Sequence, residues 1–125
     1  MINEIRKILH ENGVTYFEEN DWLWVKPESI DGFDVGCAED ERFAYVSCSG
    51  WHEEFEDRED AKNCFLNALT SRVRILVTIR GNYEHKWEYQ AFEDESWQGY
   101  GVTGLLVLPF WRKAEKIIRT NSVLK

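Results

Sequence analysis

The sequence has few of the residues from which catalytic and metal sites are usually recognised. It contains three cysteines, at positions 37, 48 and 64, and three histidines, and no two cysteines stand at CxxC spacing. It has no GxSxG, no HExxH, no phosphate-binding glycine loop and no dinucleotide fingerprint. Structural zinc sites normally show two closely spaced ligand pairs, so we expect no metal and no cofactor. A nucleophilic cysteine is also disfavoured, because acidic neighbours raise the pKa of a thiol.

Long apolar runs are missing as well. The longest spans the seven residues 105–111, far fewer than a membrane-spanning helix needs. Residues 1–13 lack the apolar core of a signal peptide. The odd set of cysteines suits reduced, mostly buried thiols. These absences predict a cytoplasmic protein.

Basic side chains are scarce in the first part of the chain. Residues 1–71 hold 17 acidic and six basic side chains, a net charge of −11, whereas residues 72–125 hold six acidic and nine basic ones, a net charge of +3. Such a field disfavours nucleic acid and anionic membranes as partners, and it speeds encounter with a basic protein. The alternative is that the acidic surface serves only to keep the protein in solution.

The residues that are present suffice for one packed core. The chain has 125 residues, of which 43% are hydrophobic, including six tryptophans. We therefore predict a single α+β domain over residues 1–125, with a mostly antiparallel sheet of about six strands and two main helices packed on one face. The helices are expected over residues 2–12 and 57–69, where apolar residues recur at helical spacing and Asp57 suits an N-cap.

The most legible stretch, residues 72–93, predicts a β-hairpin. Apolar and polar residues alternate in both halves, on either side of a Gly81-Asn82 turn signal. A two-residue turn would mix the two faces, so we predict a three-residue loop over residues 81–83. That register pairs Ile79 with His85, Val77 with Trp87, Ile75 with Tyr89, Arg80 with Glu84, Thr78 with Lys86 and Arg74 with Gln90.

The remaining elements are less sharply defined. Alternation predicts strands over residues 22–25, a second hairpin over residues 33–48 and a buried strand over residues 105–108, followed by a turn at residues 109–111. Residues 18–21 read as a turn, residues 51–55 as a loop and residues 97–101 as irregular chain. The tail fits either a helix or an edge strand with Ile117 inward, and its poor helix formers favour the strand.

The densest polar and aromatic cluster lies between a strand and the start of the second helix, where functional loops are common. We predict binding residues there: Trp51, His52, Glu53, Glu54, Glu56 and Asp57. His52 beside Glu53 could form a proton-transfer pair, since a carboxylate raises the basicity of an imidazole. The alternative is a structural loop in which Trp51 and Phe55 staple the start of the helix.

A second hypothesis places a small-molecule pocket between the curved sheet and the helices. His85, Trp87 and Tyr89 share one face of a strand by parity, so they could line one wall, with His52 and Glu53 nearby. This pocket could be catalytic. Large aromatic residues elsewhere could fill the core, stack on sugars or cap a small-molecule pocket: Trp22, Trp24, Trp97, Tyr100 and Trp111.

With no catalytic signature, the sequence favours a non-enzymatic binding protein. In its small size, acidity and single predicted domain it resembles bacterial immunity or antitoxin proteins. That resemblance implies neutralisation of a basic protein partner such as a toxin or nuclease. A cationic run in the tail could instead meet the acidic face of a second copy, giving a homodimer: Arg112, Lys113, Lys116, Arg119 and Lys125.

Overall fold

The computed structural model describes residues 1–104 and 113–124, and within them the chain forms two helices and nine strands. The helices are α1 (Ile2–Glu11) and α2 (Arg58–Ala68). The strands are β1 (Phe17–Glu19), β2 (Trp22–Val25), β3 (Val35–Glu39), β4 (Ala44–Cys48), β5 (Trp51–Phe55), β6 (Val73–Arg80), β7 (Tyr83–Glu93), β8 (Ser96–Gly104) and β9 (Ala114–Thr120). Neither helix of the described residues is long and apolar enough to cross a membrane.

The strands form two sheets rather than the one that we predicted. The first has the order β1-β2-β3-β4-β5 and the second β8-β7-β6-β9, and every described pairing is antiparallel. The mostly antiparallel α+β prediction is confirmed, whereas the count of about six strands is wrong. Three strands account for the difference, since β1, β5 and β8 occupy residues predicted as turn, loop and irregular chain.

Both helices contribute to one hydrophobic core. Ile5 and Leu9 of α1 and Phe65 of α2 are fully buried there. Helix α1 contacts β3, and α2 contacts β3, β4 and β5 of the first sheet and also β6 of the second. The predicted cap is confirmed, because the Asp57 carboxylate accepts hydrogen bonds from the N–H groups of Glu59 and Asp60. Helix α2 therefore lies where it can hold the two sheets together.

The β6–β7 hairpin has a different turn from the one predicted. Its loop is the two-residue Gly81-Asn82 turn, with Gly81 at a φ of 62°, so that Arg80 pairs with Tyr83 and Ile79 with Glu84. The pairs predicted for Ile79 and Arg80 are therefore wrong.

A β-bulge then restores the phase of the two strands. His85 is the extra residue, and beyond it the predicted pairs of Val77 with Trp87 and of Ile75 with Tyr89 are confirmed, as are those of Thr78 with Lys86 and Arg74 with Gln90. A two-residue turn alone would place the apolar side chains of β6 and β7 on opposite faces. The one extra residue of the bulge returns them to the same face, towards the core.

The tail forms the predicted strand. β9 pairs with β6 and is the last strand on that side of the described sheet. Ile117 lies opposite the buried Val77 and so shares its inward face, as predicted, although 38% of its surface is exposed. An outer strand with no described neighbour on its far side leaves such a side chain only half covered. The strand and turn predicted over residues 105–111 lie outside the described residues.

Candidate functional site

Strand β5 lies where the two sheets meet. On one side it pairs with β4 through a tight turn at Ser49 and Gly50. On the other side it lies beside β8, where the N–H of His52 donates to the Thr103 Oγ1 at 3.2 Å. The sequence did not reveal this strand, because only Trp51 is buried and the three residues after it are polar and exposed. The predicted binding residues therefore stand on a strand and not on a loop.

Trp51 fixes the position of β5 against the second sheet. Its indole lies 4.7 Å from the ring of Tyr89, and its Nε1 donates to the carbonyl oxygen of Gly101 at 3.1 Å. Only 2% of Trp51 is exposed. It therefore cannot act as an exposed anchor on the outer surface, and instead forms part of the floor of a cavity.

The two faces of β5 separate the predicted proton-transfer pair. His52 lies opposite Ser47 and Glu54 opposite Tyr45, whereas Trp51, Glu53 and Phe55 alternate with them and line the cavity beside α2. Neighbouring residues of a strand point to opposite faces, so His52 and Glu53 do not face each other. The proton-transfer interpretation of this pair is wrong.

The carboxylates of β5 and of the loop after it have no counter-ion among the described residues. Glu53, Glu54 and Glu56 are exposed, and they form no ion pair or side-chain hydrogen bond there. Some carboxylates elsewhere are paired. Hydrogen bonds from Lys62, Arg6 and Arg119 lower the pKa values of Glu4, Glu18 and Glu84 respectively. Strand β5 and the residue after it therefore carry three of the unpaired charges close together in the chain.

A cavity of about 270 Å³ opens between β5, α2, β7 and β8. Its walls combine four aromatic side chains with two carboxylates and three small or polar residues. The lining residues are Trp51, Phe55, Tyr89 and Tyr100, then Glu53 and Glu93, and finally Cys64, Asn67 and Ala91. In the described part of the chain, no lysine or arginine lines it. Trp51 and Tyr89 are buried at the base, whereas Glu53, Glu93 and Tyr100 are exposed at the rim.

Only the two carboxylates among these lining residues carry charge at neutral pH. Burial raises the pKa of the Cys64 thiol to about 12 and raises that of the Tyr89 hydroxyl, so both stay protonated. The Tyr89 hydroxyl donates to the carbonyl oxygen of Cys64 at 3.1 Å. The Tyr100 hydroxyl donates to Glu93 Oε2, which raises the pKa of the tyrosine. The cavity is therefore aromatic at its base and negative at its rim.

The predicted pocket residues are brought together only in part. Tyr89 and Glu53 line the cavity, whereas none of the three histidines does. His85 lies at the bulge of β7, where its Nε2 is buried without a hydrogen-bond partner among the described residues. Trp87 packs instead on Gly50, as an added Cβ there would lie 2.1 Å from the indole Cε2.

The sequence reasoning missed Glu93 as a lining residue, and it named Tyr100 only as one of several aromatic residues that could cap a pocket. Strand parity could have placed Glu93 on the face of Tyr89, four residues earlier in β7. Parity could not place Tyr100 beside Tyr89, because a register irregularity between β7 and β8 changes the pairing near it. Gly101 follows with a φ of 136°, a backbone conformation that glycine adopts without strain.

The cysteines are placed as structural residues. Cys37 and Cys48 are fully buried in the core, Cys64 is half-buried, and all three are free thiols. Burial is the main cause that raises their pKa values, to about 12 for Cys37, so the acidic neighbours invoked from the sequence are secondary. Within residues 1–104 and 113–124, no three His, Cys, Asp or Glu side chains converge in a way that could hold a metal ion.

Some of the other aromatic residues and of the cationic tail residues contact described neighbours. Trp22 and Trp24 stack on each other with ring centroids 5.4 Å apart. Arg119 of the cationic tail donates to both carboxylate oxygens of Glu84, each at 2.8 Å, and to Ser49 Oγ at 2.8 Å. Lys113 and Lys116 remain exposed, while residues 112 and 125 lie outside the part of the chain that the structure describes. Sugar stacking and a homodimer stay predictions.

Comparison with known proteins gives no further assignment. No protein-family model, no curated protein and no solved structure matches the chain. Function must therefore be inferred from the geometry and charge of the described residues.

Proposed function

We propose that the protein is a cytoplasmic, non-enzymatic binding protein that neutralises a basic protein partner, in the manner of immunity or antitoxin proteins. The binding surface is the acidic edge, which we define as His52, Glu53, Glu54, Glu56 and Asp57. The observation that supports it is the set of three exposed carboxylates without any counter-ion within the described residues. Asp57 also caps α2, so its carboxylate is held in place.

Unpaired surface charge favours association with a protein of opposite charge. Like charges on adjacent residues repel each other in the free protein, and a basic partner relieves that repulsion. The field steers encounter and raises the association rate, whereas each exposed ion pair adds only about 0–1 kcal/mol to affinity. The acidic edge therefore explains rapid and selective encounter, and tight binding requires an additional anchor.

Replacement of three carboxylates by glutamine tests this function. The variant Glu53→Gln, Glu54→Gln, Glu56→Gln removes three charges from the acidic edge. A matched control, Glu11→Gln, Glu28→Gln, Glu41→Gln, removes three exposed charges from residues that have no described ion pair. Each protein is immobilised at low salt, incubated with native lysate, and its bound proteins are identified by mass spectrometry.

We expect the wild type and the control to capture the same basic protein, and the acidic-edge variant to lose it. Capture of nucleic acid, equal capture by the two variants, or no partner at low salt would each contradict the proposal.

A second candidate function is binding of a small molecule in the cavity. The observation that favours it is an aromatic space of about 270 Å³ with Tyr89 as one wall, as the alternative hypothesis required. A catalytic role for it has lost support, because His52 lies on the other face of β5 and no histidine lines the cavity. The cavity is therefore a candidate binding site, and its lining decides which ligand chemistry it favours.

A further inference from the structure

The charge of the cavity identifies the kind of group that it can hold. Two exposed carboxylates, Glu53 and Glu93, stand at its rim, and none of the described residues that line it is basic. An anion entering it would meet repulsion from both, and an uncharged ligand would gain no Coulomb attraction from either and would have only neutral hydrogen-bond donors to offer. The thiol and phenol groups at its base are neutral, since burial raises their pKa values. A cation is the ligand that this distribution of charge favours.

The aromatic walls narrow the choice further. Trp51, Phe55, Tyr89 and Tyr100 surround the space, and aromatic faces attract cations through their quadrupole. A guanidinium is planar, stacks on aromatic rings, is weakly hydrated and binds a carboxylate with two parallel hydrogen bonds. An ammonium is compact and strongly hydrated, so it gains less from such walls.

We propose that the cavity binds the side chain of an arginine presented by the basic partner, an inference that rests on the proposed function. Its volume of about 270 Å³ lies just below the range of roughly 300–1,000 Å³ for pockets that hold a drug-sized molecule. It suits one long side chain. The guanidinium enters first, stacks on the aromatic walls and pairs with Glu53 and Glu93, and the aliphatic stem lies behind it towards the mouth.

The hydrogen bond from Tyr100 to Glu93 prepares this arrangement. It uses Oε2 of the carboxylate, so Oε1 is left to accept from the ligand. It also holds the exposed Tyr100 ring beside the rim, where the ring can cover a bound cation. The cavity and the acidic edge share Glu53, so an arginine seated here would supply the anchor that exposed ion pairs alone do not.

An NMR titration with n-propylguanidinium chloride tests the proposal on the full chain. The reporter is the indole N–H of Trp51, which forms the floor and is assigned by its loss in Trp51→Phe. The matched neutral probe is n-propylurea, which has the same shape without the charge. We expect saturable shifts of the Trp51 signal with a Kd in the millimolar range for the cation, and none for the urea.

Two variants connect this binding to the named carboxylates. Glu53→Gln combined with Glu93→Gln should weaken binding by about tenfold or more, since two charge-assisted hydrogen bonds are lost. The amide oxygen that this change introduces at position 93 can still accept from Tyr100, so the wall stays in place. The control, Glu28→Gln with Glu41→Gln, removes two exposed charges outside both the cavity and the acidic edge, and it should change the Kd by less than about twofold.

Equal binding of the urea, an unchanged Kd in the cavity variant, or the absence of any saturable shift would overturn the arginine site. The outcomes also separate this inference from the proposed function. If the cation does not bind while the acidic-edge variant still loses its partner, the cavity inference fails and the proposed function stands. If the cation binds and the acidic-edge variant keeps its partner, the guanidinium site is upheld and its assignment to that partner is overturned.

Discussion

Replacement of Gly50 by alanine tests how the β6–β7 hairpin packs against the first sheet. Gly50 lies in the turn between β4 and β5, and the indole of Trp87 packs directly on its backbone. A Cβ added there would lie 2.1 Å from Cε2 and 2.5 Å from both Cδ2 and Cζ2. Such distances are shorter than real Cβ contacts, so either the indole or the turn must move. The ring has little room, since only 9% of Trp87 is exposed.

The expected cost follows from this contact. Overpacking of a filled core costs about 1–3 kcal/mol, and moving the indole also strains its 3.2 Å hydrogen bond to Glu84. We therefore expect Gly50→Ala to lower the free energy of unfolding by about 2–3 kcal/mol. For a chain of 125 residues that corresponds to a fall in Tm of about 6–15 °C.

Urea denaturation followed by tryptophan fluorescence, together with thermal melting, measures this cost. The matched control is Gly104→Ala, where the nearest described atom to an added Cβ is the carbonyl oxygen of His85 at 3.7 Å. We expect the control to change stability by less than about 1 kcal/mol. Equal effects of the two variants would refute the packing of Trp87 on Gly50.

Two further predictions concern the core and one ion pair. Val77→Asp should fail to fold and accumulate as insoluble protein, because an unpaired charge would replace a fully buried side chain. The control Val102→Asp, at a half-exposed position, should fold. A folded Val77→Asp protein would contradict the register. Hydrogen bonds from Arg119 lower the pKa of Glu84 below 4.5, so its contribution to stability is present above that pH and is lost as the pH falls through the lowered value. Arg119→Met should therefore lower the free energy of unfolding by about 1–2 kcal/mol at pH 7 and make that free energy fall less steeply in acid. Urea denaturation at several pH values measures both effects. An unchanged acid dependence would argue against the Arg119–Glu84 pair.

The sequence was informative where a side-chain pattern repeats over several residues. The period-2 alternation of β6 and β7 predicted the pairs of Val77 with Trp87 and of Ile75 with Tyr89, and the helical spacing before Phe65 predicted α2 with its Asp57 cap. In both cases one face is buried, so the pattern records the core directly.

The sequence was uninformative for strands that are held by backbone pairing and have no continuous buried face. β5 has one buried residue and three exposed ones, and β8 contains glycines at 99, 101 and 104, yet both pair along the backbone. The bulge at His85 could not be read from the alternation. A two-residue turn followed by a bulge and a three-residue loop without one place the same side chains on each face of the hairpin.

The sequence pointed to residues 51–57 but could not give their arrangement. These residues include three exposed carboxylates without a described counter-ion. Their division between two faces of a strand depended on the existence of β5, and so did the cavity formed with Tyr89 and Tyr100. Sequence spacing alone could not bring β5 beside β8, since that contact is made by elements far apart in the chain.

The association rate with the captured basic partner, measured as a function of salt concentration, tests the central claim most directly. Stopped-flow mixing would compare the wild type with the variant that replaces Glu53, Glu54 and Glu56 by glutamine and with the Glu11, Glu28 and Glu41 control. We expect the wild type and the control to associate rapidly at low salt, and their association rates to fall steeply as the salt concentration rises. The acidic-edge variant should associate at least about tenfold more slowly at low salt, and its rate should depend less on salt. The same rate and the same salt dependence in all three proteins would contradict a binding surface at the acidic edge.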